Sequence, residues 1–570
     1  MQSMGGSMRI KSRSDLEEVR TIGLSKIQPD RPRIAIGLST CGIAVGGENL
    51  FNRLYTLIKE GGYDIALTKV GCIGYCKEEP IVAVTIPKKP LILLHRVFPE
   101  NAEEVINAVL KGEVPESLAL CRILEWDHIT GILQYGEGFD TIPLYNDVPF
   151  FLHQTKVILR DAGFINPEDI DEYIAVGGYE AAYTTLTERD PDAVIDEVKQ
   201  SGLRGRGGAG FPAGLKWEIT KKAKGTDKYI VCNADEGDPG AYMNRNEMES
   251  DPHMLVEGML IGAYAMGISE GLIYIRAEYP LAIKRLRHAI DQAREYGLLG
   301  DNIFGTSFCF DIQLATGAGA FVCGESTALV ASIEGKTGRP HPRPPRLTDS
   351  GVWGRPTDLN NVETWCNVPV IIAKGSKWYS GIGNSSNTGT KVFSLVGKVE
   401  NVGMVEVPLG TSLHRIIFDI GSGGAGGKAV KAVQTGGPSG GCIPVRLFDT
   451  GVDFENLNRI GSMMGSGGLV VMDEDTNMVD IARYFINFAA SESCGKCVPC
   501  REGLKHILLI LNKIISGKAL AQDLILLASL SDTIQKTSLC GLGQTAVNPV
   551  QTTLKYFMNE YEAFISQEKR

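Results

Sequence analysis

The hydrophobic period changes several times along the chain, and the changes divide it. Between residues 31 and 111, RIAIGLST, IVAVTIP and PLILLHRV are short runs dense in apolar residues, whereas ENLFNRLYTLIKEGG and NAEEVINAVLKG repeat apolar positions every three to four residues. Three strands and two helices are predicted there, a small α/β unit. Residues 112–150 lack a period and hold several Pro and Gly, which predicts a linker. Residues 1–30, opening MQSMGGSM, predict a flexible arm.

In residues 151–385, KYIVCNAD, GLIYIRAEY and FDIQLATG are predicted strands, with HMLVEGMLIGAYAMG and YPLAIKRLRHAIDQAREYG as helices between them. Alternation of this kind predicts an α/β layer with crossover helices. Residues 386–472 are rich in Val and Gly, with strands at KVFSLVGKV, AVKAVQTGG and GGLVVMD, a compact β-rich module. Residues 473–570 read as helical, and the run HILLILNKII reads as a packed helix.

Composition narrows the function classes. The chain has 570 residues, enough for several domains, and a net charge of −10, which argues against a general nucleic-acid binder. It has no run of about 20 apolar residues, so no membrane span is expected, and no secretory pattern at its opening. Thirteen cysteines, three of them within seven residues, fit a reducing, cytoplasmic setting where thiols serve metals.

Cys494, Cys497 and Cys500 in SESCGKCVPCREG, joined by Cys540 in SLCGLGQ, form two consecutive CxxC steps plus a remote thiol. This suits a [4Fe-4S] cluster better than structural zinc, which usually shows two separated CxxC pairs. Such a cluster implies electron transfer.

Four further motifs lie in the large block. LRGRGGAGFPAGLKW contains Gly205-x-Gly207-x-x-Gly210, but it follows a helical segment, PDAVIDEVKQSG, and not a strand, so the dinucleotide fingerprint is weak. Six glycines from Gly202 to Gly214 still let backbone amides approach a phosphate or flat ring, with Arg206 and Lys216 adding positive charge and Phe211 and Trp217 aromatic surface. CNADEGDPG follows a strand and places Asn233, Asp235, Glu236 and Asp238 where ligands bind in α/β layers. GAGAFVCGESTAL runs from strand to helix and offers helix N–H groups to an anion. TDLNNVET supplies Asn360, Asn361 and Thr364. Four such segments suggest two nucleotide-like ligands.

RGRGGAGFPAGLKW, CNADEGDPGAY, GAGAFVCGESTAL, GRPTDLNNVET and ESCGKCVPCREG, in this order, resemble the NADH-oxidising flavoprotein subunit of respiratory complex I. They are most similar to the beta subunits of soluble NAD(P)-linked [FeFe]-hydrogenases and formate dehydrogenases. The resemblance spans residues 31–565. It implies a thioredoxin-like domain (31–111), an FMN- and NAD(P)H-binding domain (151–385), a ubiquitin-like β-grasp module (386–472) and a helical [4Fe-4S] domain (473–570). By motif, Gly205, Arg206, Gly207, Gly208 and Lys216 hold the flavin phosphate and ring edge. Asn233, Asp235 and Glu236 contact the ring and ribityl chain, and Gly324, Glu325, Asn360, Asn361 and Thr364 complete the pocket. Phe211 packs on the nicotinamide. The implied activity is hydride exchange between NAD(P)(H) and FMN, with single electrons passing through [4Fe-4S] to or from a partner hydrogenase or formate dehydrogenase subunit. A small thioredoxin-like [2Fe-2S] subunit is a further implied partner.

The sequence departs from the family pattern at several positions. Complex I members usually carry Glu at Asp238, Tyr at Phe321, Glu at Ser326 and an aromatic at Arg346. Ser326 and Arg346 therefore point toward NADP(H), against a family default of NAD(H). In the N-terminal block, Cys41, Cys72 and Cys76 match three of the four ligands of a thioredoxin-like [2Fe-2S] ferredoxin, and Gly46 stands where the fourth belongs. Either a fourth ligand completes that site or the block only docks. No C-terminal ferredoxin motif follows the helical block. The competing readings are the flavoprotein of a respiratory NADH:quinone oxidoreductase and a docking subunit without flavin.

Overall fold

The computed structural model describes residues 9–128, 131–225 and 227–565; the opening MQSMGGSM lies outside them. The segment expected to be a flexible arm carries a helix, Arg13–Ile27. Ser12 and Asp15 cap it reciprocally, and it buries Leu16, Val19 and Ile27 against the large domain. Lys26 fastens it to Asp169 and Asp171.

The N-terminal unit is a five-stranded mixed sheet in the spatial order Ala66–Val70, Arg33–Gly37, Val82–Thr85, Leu91–Leu94, Ala119–Ile123. The first two strands are parallel and the rest antiparallel. Its last strand comes from the stretch expected to be a linker, because alternate residues Cys121 and Ile123 face the core and complete the sheet edge.

The large domain is built on four parallel strands in the order Asp311–Gly317, Glu270–Arg276, Tyr229–Ala234, Thr357–Asn361. Helix Pro252–Met266, buried almost throughout, packs beneath them, and Trp217 stacks on Trp365 at 5.6 Å. Thr357–Asn361 escaped the sequence reading because its polar residues carry no strand period; it is a strand because it pairs in register with Tyr229–Asn233.

A second mixed sheet follows, in the order Gly403–Pro408, Thr390–Gly397, Gly468–Asp473, Val430–Thr435, Cys442–Pro444. Glu406, buried in it, accepts the amides of Ile158 and Leu159 and so holds the chain entering the large domain. Helices Met478–Ser491, Val498–Ile515, Ala521–Thr537 and Asn548–Tyr556 form the C-terminal block around Leu504, Ile507, Leu511 and Ile534. Among the described residues no helix is long and apolar enough to cross a membrane.

Candidate flavin and iron–sulfur site

Parallel strands present all their C-terminal ends on one edge, and the predicted motifs meet there. Asn361 pairs across neighbouring strands with Asn233. Asn233 donates to Gly324 O at 2.9 Å, bringing in the loop after the outermost strand. The glycine loop closes over the same edge. Gly205 N–H bonds Phe211 O at 2.9 Å, and Arg206 N–H bonds Thr364 Oγ1 at 2.9 Å. A Cβ on Gly207 would lie a tight 3.2 Å from Asn361, and Gly208 has a φ of 108°, which favours glycine. The amides of Gly207, Gly208 and Ala209 make no hydrogen bond to protein among the described residues. Such a row of free N–H groups is an anion cradle.

Lys216 is held at the strand next to this loop. Its ammonium donates to Leu359 O (2.7 Å) and Asn360 Oδ1 (2.8 Å), leaving one proton for a ligand. Burial lowers its pKa, while the nearby Asp358 carboxylate opposes that. On the other side, Asp235 is buried with Oδ1 unpartnered. Burial pushes its pKa up to about 7, although Arg276 stands 4.0 Å away. An orphaned buried acceptor at the C-terminal end of a strand fits a ligand that brings its own donors, such as a ribityl chain or ring N–H. The donor set of this edge thus fits FMN.

Several predicted ligands have other duties here. The Arg206 guanidinium points into the protein and donates to Arg204 O, Thr388 O, Thr390 O and Tyr379 Oη, at 2.8–3.0 Å. It ties the loop to the second sheet and does not face the cradle. Glu236 caps helix Met243–Ser250, accepting the amides of Asn244 and Arg245 at 3.2 and 3.3 Å. Burial raises its pKa. Glu325 caps helix Ser326–Ile333 through the amides of Thr327 (2.9 Å) and Ala328 (3.0 Å). The helix start expected to attract an anion therefore already holds a carboxylate. Asn361 caps helix Val362–Lys374 through its side-chain oxygen. Trp217, a candidate stacking surface, is fully buried; Phe211 is 45% exposed beside the loop. Asp238 packs against Gly437 of the second sheet, and burial raises its pKa to about 7. Arg346 lies on an exposed turn, where its side chain makes no hydrogen bond or ion pair among the described residues. Arg343 instead reaches Ser326 and Glu325.

Sequence reasoning missed Arg276, Arg343 and Glu492. Arg276 ends a strand on the ligand edge, a placement that could have marked it. Glu492 accepts Phe321 N–H at 2.9 Å and couples the flavin-side loop to the helical block; nothing local marks it.

The four C-terminal cysteines line one small pocket with Val322, Pro340, Ser493, Lys496 and Leu542. Cys497 and Cys540 occupy helix N-cap positions; burial raises the Cys540 thiol, while the amides of Gly543 and Leu542 oppose that. Burial pushes the Cys500 thiol up to about 11, with the other three thiols beside it adding to this. Val322, from the loop flanking the flavin edge, touches this pocket, so the two sites are neighbours.

The N-terminal cysteines also converge, with Cys76 Sγ 3.8 Å from Cys41 Sγ. Cys72 is buried, and its amide donates to Ser39 Oγ and Ser250 Oγ. All three thiols are raised: Cys41 first by its hydrogen bond with Cys76 and then by burial; Cys72 to about 12, its hydrogen bond with Cys76 opposing burial; and Cys76, its hydrogen bond with Cys41 opposing Cys72 and burial.

A glycine-loop flavin site beside a four-cysteine cluster pocket defines a flavin- and iron–sulfur-dependent oxidoreductase. Similarity to known proteins agrees. Residues 198–370 match the Nuo51 FMN-binding domain, and residues 480–564 match the NADH-ubiquinone oxidoreductase-F iron-sulfur binding region. The HndC subunit of the NADP-reducing hydrogenase of Solidesulfovibrio fructosivorans is 57% identical over 416 residues, 73% of this chain and 84% of that protein. The NADH-quinone oxidoreductase-F protein of Escherichia coli (strain K12) is 43% identical over 403 residues, 70% of this chain and 91% of that protein. The crystal structure of an NAD+-reducing [NiFe]-hydrogenase in the H2-reduced state matches with TM-score 0.65 and 26% identity, over 98% of this chain and 91% of the other. The chain belongs to the NADH-quinone oxidoreductase-F family with its hydrogenase counterparts, flavoproteins with FMN and [4Fe-4S].

Proposed function

We propose that this chain is the diaphorase subunit of a hydrogenase-type complex, exchanging electrons between NAD(P)(H) and a partner that handles hydrogen or formate. The single observation that supports this reading is that Val322, in the loop after the outermost strand of the large domain, also lines the four-cysteine pocket. Bound FMN supplies the conversion between a two-electron hydride and single electrons, and an iron–sulfur cluster carries one electron at a time. The chain's residues do the rest. The free amides of the glycine loop and Lys216 anchor the phosphate. Asn233 and Asp235 orient the polar chain, Arg276 offsets the charge of Asp235, and Phe211 offers a surface to the nicotinamide.

The likeness to HndC, named as part of an NADP-reducing hydrogenase, supports a hydrogenase partner over a quinone-reducing membrane complex. A small thioredoxin-like [2Fe-2S] subunit would dock beside it, and a cytoplasmic setting suits both. The strand order of the second sheet supports a ubiquitin-like β-grasp module, and that of the N-terminal sheet a thioredoxin-like domain.

The test is acid extraction of anaerobically reconstituted protein, followed by dye reduction with NADH or NADPH. About one FMN per chain and nucleotide-dependent dye reduction are expected. Protein that releases no FMN and reduces no dye would leave only the docking role.

A further inference from the structure

We infer that Glu79 is the fourth ligand of an iron–sulfur site formed with Cys41, Cys72 and Cys76. The three thiols converge from two loops of the N-terminal domain, with Cys76 Sγ 3.8 Å from Cys41 Sγ and Cys72 fully buried beside them. The position that would supply a fourth cysteine is Gly46. Its φ of 100° suits glycine, and a Cβ there would meet nothing within 4 Å. Three thiolates alone leave one position open on a site that normally takes four protein ligands.

Glu79 fills that need from the inside. The residue is 5% exposed, and its Oε2 is fixed by Ile81 N–H at 2.8 Å. Its Oε1 has no hydrogen-bond partner, an arrangement that calls for a ligand. Gly37 and Gly42 make the space: a Cβ on Gly42, the neighbour of Cys41, would lie 3.2 Å from Glu79 Oε2. Glu79 follows Cys76 by three residues and packs against Gly42, the residue after Cys41. Carboxylate oxygen is harder than thiolate, yet iron accepts both. Three thiolates and one carboxylate also give a [2Fe-2S] core the same total charge as four thiolates. Arg245 Nη2, 3.9 Å from Cys41 Sγ, offsets part of that charge.

The site is built into the flavin domain and does not stand apart. Cys76 Sγ lies 3.6 Å from Tyr242 Oη, and Tyr242 precedes the helix that Glu236 caps, next to Asp235. A cluster here would be a second one-electron station behind the flavin.

The test uses the full chain in a Cys497→Ala background, so that the C-terminal cluster does not contribute, with Glu79 kept or changed to Ala, Gln or Cys. After anaerobic reconstitution with iron and sulfide, the Glu79 protein is expected to hold about two irons in the N-terminal site and to show a [2Fe-2S] paramagnetic signal on reduction. Glu79→Ala and Glu79→Gln should lose that iron or shift the signal. Glu79→Cys should retain it with a four-thiolate spectrum. FMN content, the same in all four proteins, reports folding. No N-terminal iron in the Glu79 protein, zinc in its place, a Cys41–Cys76 disulfide alone, or an unchanged signal in Glu79→Gln would each overturn the assignment. The iron count and the paramagnetic signal do not depend on the flavin reading; far-ultraviolet circular dichroism reports folding if no FMN is bound.

Discussion

Arg343 reaches the hydroxyl of Ser326 while its guanidinium also donates to Glu325 Oε1 at 2.9 Å. Arg343, which the sequence did not single out, thus holds the place expected of Arg346, and Arg346 stands exposed. The family resemblance implies that position 326 lies by the adenosine ribose, where a serine with an adjacent arginine would favour a 2′-phosphate. Arg343→Ala is expected to lower kcat/KM for NADPH about 10- to 100-fold, the worth of one charge-assisted bond, with a much smaller effect on NADH. Arg346→Ala should change neither. Steady-state dye reduction with both nucleotides checks this; an equal loss with NADH and NADPH counts against a role in discrimination.

Arg206 was expected on the flavin phosphate, but four of its five N–H groups are taken by protein oxygens. Lysine cannot reproduce that planar geometry. Arg206→Lys should therefore destabilise the fold by about 2–4 kcal/mol, read as a lower urea midpoint, while flavin affinity of the folded fraction stays near that of the parent. Retained stability with lost FMN would restore the phosphate role.

Cys497→Ala is expected to abolish the reduced-state signal of the [4Fe-4S] cluster while NADH still bleaches the flavin, because the flavin anchors lie on other segments. Electron paramagnetic resonance with parallel absorbance spectra makes the comparison. A mutant with an unchanged signal would remove Cys497 from the ligand set.

Burial raises Asp235 from 3.8 to about 7. A carboxylate raised on folding contributes stability that is complete below its unfolded pKa and lost as pH rises through its folded one. In flavin-free protein, stability relative to Asp235→Asn should therefore fall between about pH 4 and pH 7 and stay level above that. The full difference is at most about 4 kcal/mol, reduced by Asp238, which titrates in the same range. Thermal midpoints of the two proteins across this range test it; parallel curves would show that Asp235 is not strained by burial.

Much of the architecture is legible in the chain because it rests on local periodicity. The strands at Tyr229–Ala234, Glu270–Arg276 and Asp311–Gly317 and the helices between them follow from alternation of apolar runs. The cluster cysteines are readable from spacing alone, since ligands on one turn must be near in sequence. The glycines of the 205–210 loop are readable because only they permit close backbone approach.

What local pattern could not supply are assignments that depend on partners distant in sequence. Whether Arg206 faces a ligand or the interior is decided by Thr388, Thr390 and Tyr379, almost two hundred residues away. The Thr357–Asn361 strand exists because Tyr229–Asn233 offers it an edge, not because its own residues favour extension. The linker became a strand for the same reason. Glu79 is an ordinary acidic residue in sequence, and only the fold buries its carboxylate beside Cys72 and leaves one oxygen without a partner. The sequence by itself determined which chemical groups are present and the local elements that carry them. Tertiary structure decided which of those groups face a ligand, because hydrogen-bond saturation and burial are properties of the packed neighbourhood and not of the residue.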